Sequence, residues 1–452
     1  MPRKNTARSV ALTVLRRVEE EGAYANLLLA PALAKSGLES RERALATELV
    51  YGAVRTRNTL DWALLQRSKL PPEKIDPAIR AVLRLGAYQI LFTRVPPAVA
   101  CSAAVDQAKE VSNAGSARFV NALLRRLARE RDKLEYPDVE QEPVRHIALK
   151  YSHPEWLVER WLERWGVSET IALCQTNNEP PTLTLRTNTT RISRRELVAY
   201  FEEKGFAVGH HLYAPEALHL KGTGDVSRLP GFPEGLYTVQ DESSMLAAHA
   251  LAPQKGEAVL DACAGPGGKT THLAQLMQDK GEILALDVHL HKTKLIRTSA
   301  QRLGLRSIEA VPGDARALPQ DYQHRFQRVL VDVPCSGTGV LRRRPDLRWH
   351  KTPQELASLP PLQLAILEGA AAGVAPGGVI VYSTCSLEPE ENLAVVKEFL
   401  TRHNDFTLDD LEPYLGGYIS AASLKEGYLE LVPHRHKVDG FFLARLRQRG
   451  GT

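Results

Sequence analysis

The chain has 452 residues and only five cysteines, no two of which form a CxxC pair. Cys101, Cys174, Cys263, Cys335 and Cys385 are an odd, scattered set, which excludes a disulfide framework or a zinc site as first expectations and favours reduced thiols. No apolar run approaches the ~20 residues that span a bilayer, and the opening MPRKNTARSV has no apolar signal core. A membrane partner is therefore not expected, and a cytoplasmic location is. Internal repeats and low-complexity tracts are also missing. Neither sign of charge dominates: a net +5 is too mild by itself to specify a polyanion partner. What is present, 43% hydrophobic and 25% charged residues, belongs to a folded protein. The length suits about three domains.

Residues 1–135 read as helices throughout. Val10, Val14, Leu15 and Val18 share one side of a 3.6-residue period, and Arg16, Arg17, Glu19 and Glu20 take the other. Asp76 before Pro77 marks a helix start. Five or six helices in a bundle are expected. A polar linker near Tyr136–Pro143 follows, then a short helix over Pro154–Gly166 carrying Trp156, Trp161 and Trp165, which suits core packing or a domain seam. Residues 145–234 then alternate as β-α-β-β, a small α+β module of a kind that often binds RNA. Residues 235–449 change to βαβ repeats, with strands expected at 258–262, 282–287, 307–314, 328–334 and 377–384. DGFFLARL at 439–446 reads as a last, antiparallel edge strand. The fold class expected is thus multidomain: an all-α bundle, an α+β module and an α/β domain with a parallel, Rossmann-like sheet.

Chemistry gathers at three strand ends. Asp261–Thr270, DACAGPGGKT, is a glycine-rich turn ahead of a helix, whose free amides suit an anionic or nucleotide-like group. Pro266 breaks the Walker spacing, and the GxGxxG pattern is also absent. Asp287 stands where an acid takes ribose hydroxyls, and Asp314 where one reaches an adenine amino group. A loop and two acids on successive strands point to S-adenosylmethionine as cofactor. PCSG at Pro334–Gly337 and STCS at Ser383–Ser386 each end a branched apolar run, so each places a thiol at the sheet's carboxyl edge. One chemistry that needs two thiols beside such a cofactor is methylation of a pyrimidine at carbon 5, a poor nucleophile until a thiolate adds at carbon 6. Amino-group methyltransferases usually follow Asn or Asp here with Pro-Pro and an aromatic. Cys335 after Asp332 and Pro334 argues instead for carbon chemistry, with Asp332 free to hold the cytosine edge. Cys101, Cys174 and Cys263 read as small buried hydrophobes. Two arginine clusters suit phosphate contacts or solvated faces: Arg118, Arg125, Arg126, Arg129 and Arg131, and Arg342, Arg343, Arg344 and Arg348.

CAGPGGK, DVPCSGTG, YSTCSLEPEEN and the late DGFF together resemble the bacterial ribosomal RNA cytosine-5 methyltransferases of the Sun/RsmB and nucleolar-protein class. The helical front resembles the antitermination factor NusB, and LRTN with YTVQDESSMLAAHAL resembles that family's approach to its catalytic domain. The resemblance covers nearly the whole chain and implies a 16S rRNA enzyme. It implies Cys385 as the nucleophile and Cys335 as the residue that aids product release. Cofactor contacts carry over to Cys263, Ala264, Gly265, Pro266, Gly267, Gly268 and Lys269, and to Asp287, Asp314 and Asp332. Arg125, Arg126 and Arg342–Arg344 are the candidate RNA contacts, with no metal and a monomer expected. Gly265 departs from the family's usual alanine and is expected to loosen the loop without removing its function. Rival expectations are a tRNA methyltransferase, a non-enzymatic RNA-binding antitermination factor and a protein methyltransferase.

Overall fold

The structure is a computed structural model that describes residues 5–68, 70–71, 74–221, 226 and 229–450. It forms two compact units. The first holds the described residues up to Glu179 together with Leu341–His350, and the second holds Pro180–Val340 and the chain after His350. The boundary expected near residue 135 falls inside the first unit. The small module and the large sheet share the second.

Seven helices precede residue 131 among the described residues, more than the five or six expected: Ala7–Glu21, Ala25–Lys35, Ser40–Arg55, Arg57–Leu65, Pro77–Phe92, Pro97–Val111 and Ala114–Glu130. Their starts follow from capping. Thr6 makes a capping box, the Asp76 carboxylate accepts from the Ala78 and Ile79 N–H groups, and Asn113 accepts from Ser116. Val10, Val14 and Leu15 are buried as the periodicity requires. Glu19 is not on the solvated face. Its side chain is 8% exposed and pairs with Arg80 at 3.0 Å and with Arg84, because a buried carboxylate needs a charged partner. The helix expected over 154–166 runs on to Asn178, with a break at Gly166, where φ is 75°. Of its three tryptophans only Trp161 is fully buried.

Leu341–His350 is the surprise of this unit. The Asp346 carboxylate accepts the Ala25 N–H at 2.8 Å, capping a helix whose own Tyr24 supplies no side-chain cap. The Arg348 guanidinium donates to the Ser152 carbonyl at 2.8 Å, to Asn178 Oδ1 at 3.0 Å and to the Asn177 carbonyl at 3.3 Å. Trp349 Nε1 donates to the Val54 carbonyl at 2.7 Å.

In the second unit, β1 (Leu183–Thr187), β2 (Val208–Gly209), β3 (Ala217–Leu220) and β4 (Tyr237–Val239) make an antiparallel sheet of order β2-β3-β1-β4. The helix Arg194–Glu203 packs its Leu197 and Phe201 into that sheet's core. The large sheet contains β5 (Ala258–Asp261), β6 (Glu282–Asp287), β7 (Ile308–Pro312), β8 (Phe326–Asp332), β9 (Val374–Thr384), β10 (Phe406–Leu408), β11 (Tyr428–Leu431) and β12 (Phe441–Gln448). Its order is β10-β12-β9-β8-β5-β6-β7, with β11 also on β12. From β7 through β9 the pairs are parallel, and β12 runs antiparallel to β9. β12 is antiparallel as expected but is not an edge, since β10 and β11 pair with its other side. Alternate residues feed two cores. Val259, Leu330 and Val381 join the helices Glu242–Leu251 and Gly268–Leu276, while Leu260, Val331 and Tyr382 join Pro353–Ala371 and Leu393–Arg402.

The chain leaves β5 toward β6 and β7 on one side, and β8 and β9 build the other. Ligands in such sheets bind at the carboxyl ends of the strands where this order reverses, here β5 and β8.

Candidate active site

β5 ends at Asp261, which is 1% exposed. Its Oδ2 accepts the Thr270 hydroxyl at 2.7 Å, while its Oδ1 is buried with no hydrogen-bond partner. Burial raises this carboxyl to about 7. The turn after it is glycine-dependent at two points. Gly267 has φ +100°, a conformation that side chains resist. Gly265 donates its N–H to Asp287 Oδ2 at 3.1 Å, and a Cβ there would lie 2.4 Å from that oxygen and 2.7 Å from Lys292 Cβ. The glycine therefore does not loosen the loop. It lets the loop close on Asp287.

A cavity of about 150 Å³ opens here. Gln240, Ser244, Asp261, Cys263, Lys269 and Asp332 line it with the turn Ala264–Pro266 and Gly268. Asp287 is 6% exposed and holds the turn from behind, with Lys292 Nζ at 3.4 Å. Asp314 is two residues past β7, more exposed, and bound to Arg316 at 2.6 Å. That ion pair lowers the Asp314 carboxyl. Neither Asp287 nor Asp314 forms part of the cavity wall.

β8 ends at Asp332, next to Ser383 of β9 in the parallel register. Asp332 Oδ2 accepts Lys269 Nζ at 2.8 Å and Oδ1 accepts the Ser383 hydroxyl at 2.8 Å. Lys269 Nζ also sits 5.1 Å from the centre of the Phe441 ring. One step further along, the two sulfurs meet: Cys335 Sγ is 3.0 Å from Cys385 Sγ. Neither is in a disulfide. The contact with Cys385, burial and the neighbouring carboxylates hold the Cys335 thiol well above its ordinary range. The Gly339 N–H donates to the Cys385 carbonyl at 3.0 Å, and a Cβ at Gly339 would come within 2.5 Å of the Gly440 carbonyl. Glycines in SGTG and DGFF thus let three loops close on one point.

The arginine expectations divide. Arg125 and Arg126 are exposed on Ala114–Glu130, with Arg126 paired to Glu130 at 3.1 Å. Arg344 is exposed and Arg343 half-buried. Arg342 is 7% exposed, so the expectation of a surface phosphate contact fails for it: the segment packs into the helical unit. Unforeseen were Asp261, Gln240 and Ser244 in the cavity wall, although Asp261 opens the glycine-rich motif and the other two lie in VQDESS. Glu391 lies inside PEEN, where nothing in the local sequence signals its burial beside the two thiols.

Family models match in three consecutive stretches: the NusB family over residues 5–129, the Methyltr_RsmF/B-like ferredoxin-like domain over 153–227, and the 16S rRNA methyltransferase RsmB/F over 248–447. The chain is 40% identical over 99% of its length to the whole of a probable ribosomal RNA small subunit methyltransferase B of Bacillus subtilis. The chain belongs to the RsmB/F family. The Escherichia coli ribosomal RNA small subunit methyltransferase B is 33% identical over 99% of both chains. Among solved structures, PH0851 superposes on this RsmB/F-family chain with a TM-score of 0.83 at 28% identity, over 98% of this chain and 99% of its own. NSun6 from Pyrococcus horikoshii, solved with SFG, gives 0.59 at 25% identity over 66% of this chain and 99% of its own. The RsmB/F chain is accordingly a methyltransferase, with NusB-like, ferredoxin-like and Rossmann-like parts. Among its described residues no helix is long and apolar enough to cross a membrane.

Proposed function

We propose that this enzyme methylates carbon 5 of a cytosine in 16S rRNA, using S-adenosylmethionine and a transient bond between Cys385 and carbon 6. The observation that carries the reading is the pair of sulfurs 3.0 Å apart at the ends of neighbouring strands, beside the glycine-rich cavity. That cavity fits the cofactor on its own chemistry. It has a buried, unpartnered oxygen on Asp261, backbone amides of a helix start, and open space where a Cβ at Gly268 would stand. Cys263–Lys269 and Asp332 would hold it, with Asp287 bracing the turn through the Gly265 N–H, while Asp314 lies outside this wall. When bound, it supplies an electrophilic methyl group.

The chain's own residues do the rest. The Cys385 thiolate adds to carbon 6, and its electron pair makes carbon 5 nucleophilic. Asp332, anchored by Lys269 and Ser383, faces the cytosine amino edge and ring nitrogen. Cys385, at the end of β9, is the attacking sulfur that the family resemblance implies, and Cys335 stands beside it at 3.0 Å. After methylation, Cys335 as thiolate takes the carbon 5 proton, the electron pair of that bond restores the carbon 5–carbon 6 double bond, and the carbon 6–sulfur bond breaks to return the Cys385 thiolate. The target base must leave its stack, at a cost of roughly a few kcal/mol, which contacts to flanking RNA offset. Arg125, Arg126, Arg343 and Arg344 are candidates for those contacts.

Cys385→Ala is expected to abolish methylation of unmodified 16S rRNA, read by bisulfite sequencing, and full methylation by that variant removes the assignment. Cys335→Ala is expected to accumulate a covalent protein–RNA adduct on a denaturing gel. Mapping methylation in both rRNA and tRNA pools separates the ribosomal substrate from a transfer RNA one.

A further inference from the structure

Behind the two sulfurs lies a carboxylate that is fully buried, Glu391. Its Oε2 accepts the Ser336 N–H at 2.8 Å and Gln363 Nε2 at 2.9 Å. Its Oε1 accepts the Ser336 hydroxyl at 2.5 Å and the Ser386 hydroxyl at 2.6 Å. Ser336 follows Cys335, and Ser386 follows Cys385. One side chain therefore grips the residue next to each sulfur. Glu391 is itself held, since the Tyr382 hydroxyl donates to its carbonyl at 2.6 Å.

A clamp is needed here. The ladder between β8 and β9 ends with the Val333 N–H on the Ser383 carbonyl, and Pro334 has no N–H with which to extend it. Past that point backbone pairing to the Cys385 strand returns only at Gly339, so Cys335 and Ser336 between them are positioned by side chains. Burying a carboxylate is costly unless its oxygens are hydrogen-bonded, and here four donors meet that cost.

We infer that Glu391 is a positioning residue: by binding Ser336 and Ser386 together, it sets the separation of the Cys335 and Cys385 sulfurs. The inference rests on the two-thiol reaction proposed above, and it concerns geometry that can be read without that reaction. The diazene oxidant diamide takes one hydrogen from each of two adjacent thiols, becoming a hydrazine and leaving a disulfide. Its rate on the full-length protein reports how closely Cys335 and Cys385 are held. Peptide mapping of the product separates this pair from the other three cysteines.

Glutamine in place of Glu391 keeps the clamp. Its oxygen can take the Ser336 N–H and Gln363, while its amide donates to two reversed hydroxyls. Alanine removes it. Glu391→Ala is expected to slow the Cys335–Cys385 crosslink at least about tenfold and to lower kcat about a hundredfold, as small misplacements of reacting groups do. KM for S-adenosylmethionine should stay within about twofold, because the cofactor cavity is untouched. Glu391→Gln should restore most of both. Should Glu391→Ala fail to fold, Ser386→Ala removes only the Cys385 side of the clamp, together with the hydroxyl's bond from the Glu388 N–H and its contact with Ser336, and is expected to slow the crosslink severalfold. The inference is overturned if the alanine variant, or Ser386→Ala in its place, crosslinks at the wild-type rate. It is equally overturned if Glu391→Gln is as impaired as the alanine variant. Full methylation by Cys385→Ala would instead sink the reaction while leaving the crosslinking result intact.

Discussion

Asp261 illustrates how much one side chain's surroundings decide. Its carboxyl sits near 7 in the folded protein against an ordinary 3.8, because burial disfavours its charge. A group raised in this way favours the folded state at low pH. That contribution is lost as pH climbs from about 4 through about 7, at a cost on the order of 4 kcal/mol over the window. Asp261→Asn, similar in shape and never charged, is expected to flatten this part of the stability curve in urea titrations from pH 4 to pH 8. An unchanged slope in that variant would assign the loss to other groups. Glu216 and His272 act in the opposite sense. His272 is lowered to about 4 by burial, and Glu216 is depressed despite its burial by His272 and His249, at 2.6 and 3.0 Å. Both weaken the fold as pH falls. Gly265 is the third instructive residue: as a letter it looked like a small loss of rigidity, and in place it is what permits the Asp287 contact.

Among the elements, Leu341–His350 departs furthest from its motif. RRRPDLRW looked like a basic loop serving phosphate, yet Arg342, Asp346 and Arg348 are buried in the helical unit. Arg348 is 1% exposed and makes three hydrogen bonds to the ends of two helical segments. Arg348→Ala should therefore destabilise the helical unit by roughly 3 kcal/mol, since several buried carbonyls lose a charged donor. Thermal unfolding followed by circular dichroism measures this, and a change under about 0.5 kcal/mol would show the contacts to be incidental. The strands were far more legible. β6 matches its expected span of 282–287, and β5, β8 and β9 begin or end within three residues of theirs. Runs of branched residues buried on both faces announce themselves. Short strands such as β10 and β11 carry no such run and were not foreseen.

For the whole molecule, RNA binding is the property in which charge counts most. Arg125 and Arg129 are exposed on Ala114–Glu130, whereas Arg342 is buried. Replacing Arg125 and Arg129 together with Gln is expected to reduce the slope of log affinity against log salt by about 1.5, given roughly 0.7–0.9 per phosphate contact. Filter binding to a 16S rRNA fragment across a salt series checks this, and an unaltered slope would place the RNA elsewhere. The division of the chain was legible only in part. The change from helical to alternating patterns was plain in the sequence, but the helix to Asn178 and the segment 341–350 joined the front unit without any break in composition.

By itself the sequence determined the local matters: which runs are strands, where helices are capped, and which short motifs carry thiols, acids and glycines. These follow from side-chain period, backbone freedom and hydrogen-bonding capacity, all of which act over a few neighbours. Only the tertiary structure decided which of them meet. Placing β5 between β6 and β8 brings Asp332 to Lys269, 63 residues away, and the β8–β9 register brings together two sulfurs separated by 50. Burial likewise turned Glu391 into a clamp and Arg342 into core. The energy of a buried charge depends on what surrounds it in space, and no stretch of sequence contains that.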